Sequence, residues 1–86
     1  MPEISRFYGI VVKMYFCDHP PPHFHAEYAG NEMIVDVQSL SVIAGALPAR
    51  ANKMVLEWAA QHQAELAEMW RLASTMQPIG RIDPLP

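Results

Sequence analysis

His23-Phe24-His25-Ala26-Glu27-Tyr28-Ala29-Gly30-Asn31-Glu32-Met33-Ile34-Val35-Asp36-Val37 decides how this chain folds. Residues 23–29 and 32–37 alternate in character as strands do, and Gly30-Asn31 between them is a short hairpin signal. A two-residue turn there sets Tyr28 beside Met33, Ala26 beside Val35 and Phe24 beside Val37. Apolar then meets apolar on one face, and a slip of one residue would mix the faces. The other face carries His23, His25 and Glu27 on one strand and Ile34 and Asp36 on its neighbour. This register places His25 opposite Asp36.

On the N-terminal side lies Cys17-Asp18-His19-Pro20-Pro21-Pro22. Proline has no backbone N–H to give a sheet ladder, so the three prolines form a stiff, extended connector that keeps His19 near His23. Before them, residues 6–16 are rich in β-branched and aromatic types and read as one strand. Tyr8, Ile10, Val12, Met14 and Phe16 make its apolar face; Phe7, Gly9, Val11, Lys13 and Tyr15 make a mixed one. Gly9 marks a bulge or a close backbone approach.

On the C-terminal side, residues 40–44 read as a short strand ending at Gly45. Pro48 suits the first turn of a helix, and good helix formers follow to residue 74. Ala51, Val55, Trp58, His62, Leu66, Met69 and Ala73 recur at three- or four-residue spacing and form one amphipathic stripe. Unbroken, a helix over residues 48–74 would run roughly 39 Å. Such a length suggests a break near Gln61-His62-Gln63 or a projection into a partner, a homodimer through the helix included. Residues 77–86 read as an extended tail anchored by Ile79, Ile82 and Leu85. The expectation is a single α+β domain over residues 1–86: a small antiparallel sheet of three or four strands against one long, possibly broken, C-terminal helix.

Fifty-one per cent apolar residues in 86 favour a folded chain with a small core. One cysteine excludes an internal disulfide framework, and no signal-peptide pattern opens the chain, so a reducing cytoplasm is expected. No apolar run approaches the roughly 20 residues that span a bilayer. Nine acids against six scattered bases argue against general DNA binding and leave room for a local RNA contact.

The histidine cluster admits three readings. As a metal site, His23 and His25 point the same way from alternate strand positions, with Glu27 extending the row. Asp36 is then a ligand or a positioning partner, and His19 or Asp18 closes the site from the loop. Imidazole with carboxylate suits a divalent transition metal such as zinc, iron or nickel. As a metal-free, RNase-like hydrolase, His23 or His25 is general acid or base. Glu27 or Asp36 tunes it, and Lys13 or Arg6 steadies the phosphorane charge. As a structural feature, the same residues are simply the solvated side of a half-buried sheet. Elsewhere, His62 and Glu65 form a thinkable helical ligand pair, while Cys17, Trp58 and Trp70 read as packing residues.

Several runs resemble one family: Ile4-Ser5-Arg6-Phe7-Tyr8-Gly9-Ile10, Met14-Tyr15-Phe16, Asp18-His19, Pro21-Pro22-His23-Phe24-His25-Ala26-Glu27-Tyr28 and Leu56-Glu57-Trp58-Ala59 with His62 and Glu65-Leu66. These are the small bacterial proteins of the domain of unknown function 4160 family. Pro20 departs from the polar residue common there and stiffens the loop. The resemblance implies a stand-alone cytoplasmic protein encoded beside another small protein, in an arrangement like a toxin–antitoxin pair. No established activity comes with it. The expected function is therefore an interaction protein of such a pair, with the metal-binding or hydrolytic cluster as the alternative.

Overall fold

Five strands run in chain order through one antiparallel sheet in a computed structural model, which describes residues 2–86: β1 (Glu3–Phe7), β2 (Ile10–Lys13), β3 (His23–Tyr28), β4 (Asn31–Asp36) and β5 (Val42–Gly45). Two helices, α1 (Ala49–Gln61) and α2 (Gln63–Ser74), complete the α+β fold. The three or four strands expected are thus five, and the one long, possibly broken, helix is two, divided at His62.

The extra strand comes from a turn inside the segment read as a single strand. Tyr8 and Gly9 both have positive φ, 50° and 81°, and Phe7 pairs directly with Ile10. Two positive φ values in a two-residue loop match the right-handed twist of the flanking strands. Phe7 therefore joins the core while Tyr8 and Phe16, expected on the apolar face, are exposed.

The β3–β4 turn sits at Ala29-Gly30, again with both φ positive, rather than at Gly30-Asn31. The pairing is accordingly shifted by two residues: Phe24 faces Val35, Ala26 faces Met33, His23 faces Asp36 and His25 faces Ile34. A shift of two preserves the faces, so Phe24, Ala26, Met33 and Val35 are all buried as the alternation requires. The pairing of His25 with Asp36 is replaced by that of His23 with Asp36.

The Asp36 carboxylate accepts the backbone N–H groups of Gln38 and Ser39, and Leu40 at φ 59° completes the turn, so β5 starts at residue 42 rather than 40. Gly45 has φ 68°, and a Cβ there would overlap the Glu32 carbonyl oxygen, so glycine is what lets β5 close on β4.

His62 interrupts the helix with φ −125° and ψ 23°. Strands of four to six residues span only about 13–20 Å, so a continuous helix would overrun the sheet. The break lets both pieces bury their stripes, Ala51, Val55 and Trp58 from α1 and Leu66, Met69 and Ala73 from α2. The Gln63 amide nitrogen donates to the carbonyls of Val37 (2.7 Å) and Gln38 (2.8 Å), tying the start of α2 to the β4–β5 turn. No helix among the described residues is long and apolar enough to cross a membrane.

The C-terminal segment returns to β1. The Ile82 N–H donates to the Ile4 carbonyl, Arg81 pairs with Glu3 at 3.0 Å, and Ile82 is buried. Arg6 holds the same carboxylate at 2.7 Å. Hydrogen bonds from Arg6 and then Arg81 lower the Glu3 pKa from 4.5 to about 2. A carboxyl depressed on folding contributes stability above its unfolded value, and that contribution is lost as pH falls. Thermal stability should therefore drop between pH 4.5 and about 2. Glu3→Gln should flatten that part of the profile and speed proteolysis of the tail. An unchanged acid limb in the variant would show that Glu3 does not tether it.

Candidate functional site

The β2–β3 connector carries Asp18 over the start of β3. Its path is set by remote backbone contacts: the Cys17 N–H donates to the Ala73 carbonyl at the end of α2, and the Val37 N–H donates to Pro22. The Pro20–Pro21 peptide within it is cis. Asp18 Oδ1 accepts the His19 backbone N–H at 2.8 Å. Asp18 Oδ2 faces two imidazoles at once, His23 Nε2 at 2.9 Å and His25 Nε2 at 3.4 Å.

The far side of each ring is also engaged. His23 Nδ1 donates to the Pro21 carbonyl at 2.7 Å, and His25 Nδ1 lies 3.3 Å from Glu32 Oε2. Each histidine is therefore held between two acceptors. A neutral ring carries one N–H and can serve only one of them. With Nδ1–H of His23 committed to Pro21, its Nε2 lone pair points at a carboxylate oxygen. That arrangement is satisfied by a second ring proton or by a cation shared among the three groups.

Asp18 is ionised in this setting. Burial works to raise its pKa, but the His19 N–H and the hydrogen bonds of His25 and His23 together outweigh burial and hold it below the ordinary aspartate value. One ligand atom from each of Asp18, His23 and His25 lies within 4.8 Å of the others. Aromatic rings wall the cluster: Trp70 of α2 sits 5.1 Å from His23, and Tyr15 meets His25 edge-on at 4.8 Å.

Of the candidates named from sequence, His23, His25 and Asp18 come together. His19 is exposed and contributes its backbone N–H. Glu27 is paired with Lys13 at 3.1 Å, which raises the Lys13 pKa and commits both groups to each other. Asp36 lies across from His23 in the ladder but spends its carboxylate on the turn. The Ser39 N–H, ahead of that of Gln38, keeps its pKa low. His62 and Glu65 form a local hydrogen bond of 2.7 Å, with the His62 ring beside Trp58. Sequence reasoning missed Glu32, Tyr15 and Trp70. Glu32 was accessible by parity, since it shares the face of Ile34 and Asp36; Trp70 was not, because a helix contact has no local signal in the strand.

A five-strand meander backed by two helices, with two histidines and an aspartate converging on the side opposite Phe24 and Val35, defines a small α+β protein with a histidine–carboxylate cluster. The chain belongs to the family described as Domain of unknown function (DUF4160), whose model matches residues 9–71, from the β1–β2 turn into α2 and across the whole cluster. No curated protein and no solved structure matches it.

Proposed function

We propose that this protein binds one divalent transition-metal ion through Asp18 Oδ2, His23 Nε2 and His25 Nε2. The observation that carries the reading is the convergence of both Nε2 atoms on one carboxylate oxygen while His23 Nδ1 faces the Pro21 carbonyl and His25 Nδ1 the Glu32 carboxylate. Metal-ligating histidines are oriented by such outer partners. The two separations from Asp18 Oδ2, 2.9 and 3.4 Å, are close to the edge of about 3.3 Å of a tetrahedron with bonds of 2.0–2.1 Å, and all three ligand atoms lie within 4.8 Å of one another. Two nitrogens and one oxygen suit zinc, iron or nickel. Three protein ligands leave a coordination position for water, which such an ion would activate for hydrolysis. Metal analysis of untagged protein tests this. Near-stoichiometric metal, lost in a His23→Ala/His25→Ala double variant, supports the site. No bound metal, and no thermal shift with zinc, nickel or manganese, would refute it.

A protein partner is the second reading, and the edge of the sheet favours it. The β1 edge is covered by the tail, whereas every residue of β5 is exposed, Val42 and Ile43 included. Residues 37–49 carry no charge, so β5 lacks the lysines that usually shield an edge. An added strand from the partner in a toxin–antitoxin-type pair fits such an edge. A 1:1 complex with the adjacent gene's product, broken by Ile43→Lys, is the expected result. A chain that stays monomeric and indifferent to that product would sink the idea.

A further inference from the structure

The six basic residues are not used alike. Arg6 and Arg81 hold Glu3, Lys13 holds Glu27 and Arg71 holds Glu68. Among the described residues, Arg50 and Lys53 have no carboxylate within ion-pair distance. They stand three residues apart in the first turns of α1, on one side of the helix. Both line a cavity of about 410 Å³ together with Tyr8 and Met54. Tyr8, Arg50 and Met54 also line an adjoining cavity of about 270 Å³ that reaches Tyr28, so the two form one cleft. Glu57 is the one acidic side chain on its lining, against two cations.

Tyr8 supplies a second kind of contact. It is 59% exposed and sits at the first central position of its turn with φ 50°, where glycine, asparagine or aspartate is the usual choice. A bulky side chain there is strained, and such outliers concentrate where side-chain placement matters. The turn is firmly seated, because the Tyr28 ring packs against it; a Cβ on Gly9 would come within 3.3 Å of Tyr28 Cε1. An exposed aromatic ring thus stands on a seated turn, lining the same cleft as two cations without a carboxylate partner. The start of α1, with no side-chain cap and no acid in its first turn, adds positive potential in the same place.

We propose that this cleft binds a nucleoside phosphate, either a free nucleotide or a unit of single-stranded RNA. Arg50 and Lys53 take the phosphate, and the base stacks on Tyr8. The site is at the turn end of the sheet, distinct from the histidine cluster, and its lining sets Arg50 and Lys53 against Glu57.

The test is titration of the full chain with AMP, labelled hexauridylate and inorganic phosphate at low salt. AMP and hexauridylate should bind, with inorganic phosphate weaker. Arg50→Ala/Lys53→Ala should weaken both by about tenfold or more, and the log–log salt slope for RNA should be about −1.4 for two phosphate contacts. Tyr8→Ala should weaken AMP and leave phosphate unchanged. Arg71→Ala, and the His23→Ala/His25→Ala variant, should bind as the parent does. Hexauridylate binding tighter than AMP assigns the cleft to RNA; equal affinity assigns it to the free nucleotide. Failure of the parent chain to bind either, retention of binding in the Arg50/Lys53 variant, or phosphate binding as tightly as AMP would overturn the proposal.

Discussion

Trp58→Ala should destabilise this domain by about 3–5 kcal/mol, a large share of the 5–15 kcal/mol typical of small domains. Trp58 is fully buried, with the Phe7 ring 5.6 Å and the Phe24 ring 5.8 Å away. Those rings come from β1 and β3, so truncation would open a cavity between the sheet and α1 that flanking strands cannot refill. The indole also donates to the Asp83 carbonyl at 2.8 Å, joining the tail to the core. Trp58→Phe separates the two roles. It keeps most of the packing and loses the hydrogen bond, a change of about 1 kcal/mol, and it should loosen the tail before the core. Chemical denaturation with limited proteolysis reads both; equal stability of the alanine variant and the parent would show that the indole does not organise the core.

Zinc should produce the other large effect. A ligand at a hundred times its Kd that binds only the folded state adds about 2.7 kcal/mol, roughly 10–20 °C in Tm for a domain of this size. His23→Ala should abolish the shift, since it removes one of three ligands and frees the Pro21 carbonyl. Glu32→Gln is the subtler variant. Glu32 does not reach the ligand centre but holds His25 Nδ1, and loss of such an orienting carboxylate should weaken zinc about 10–100-fold while leaving stability without metal nearly unchanged. Calorimetric titration gives the affinities directly. A parent Tm indifferent to zinc would remove the basis for both expectations.

Much of this arrangement is legible in the sequence. Alternation puts Phe24 and Ala26 on one face with Met33 and Val35, and His23 and His25 together on the other, although the turn falls at Ala29-Gly30, one residue before the Gly30-Asn31 signal. A two-residue shift in pairing leaves parity intact, so face assignment survives an error in register that partner assignment does not. The helical stripe from Ala51 to Ala73 was readable for the same reason: periodicity is local.

Other features depend on distant contacts. The turn at Tyr8-Gly9 lacks the usual asparagine or aspartate, and only the pairing of Phe7 with Ile10 reveals it. The break at His62 falls within the Gln61-His62-Gln63 stretch expected from helix length, but that a break and not a projection into a partner resolves the excess length depends on the short sheet. Most consequential is the choice between two aspartates. Asp36 lies in the strand ladder and looked like the histidines' partner, yet the backbone N–H groups of Gln38 and Ser39 claim it. Asp18 occupies the histidines instead, because contacts to Ala73 and Val37 steer its loop across them. Side-chain type and strand parity, both local properties, determined that a histidine–carboxylate cluster exists on the face opposite Phe24 and Val35. Which carboxylate completes it was decided by the loop's path, which follows from chain closure against elements up to 56 residues away in sequence, Cys17 to Ala73.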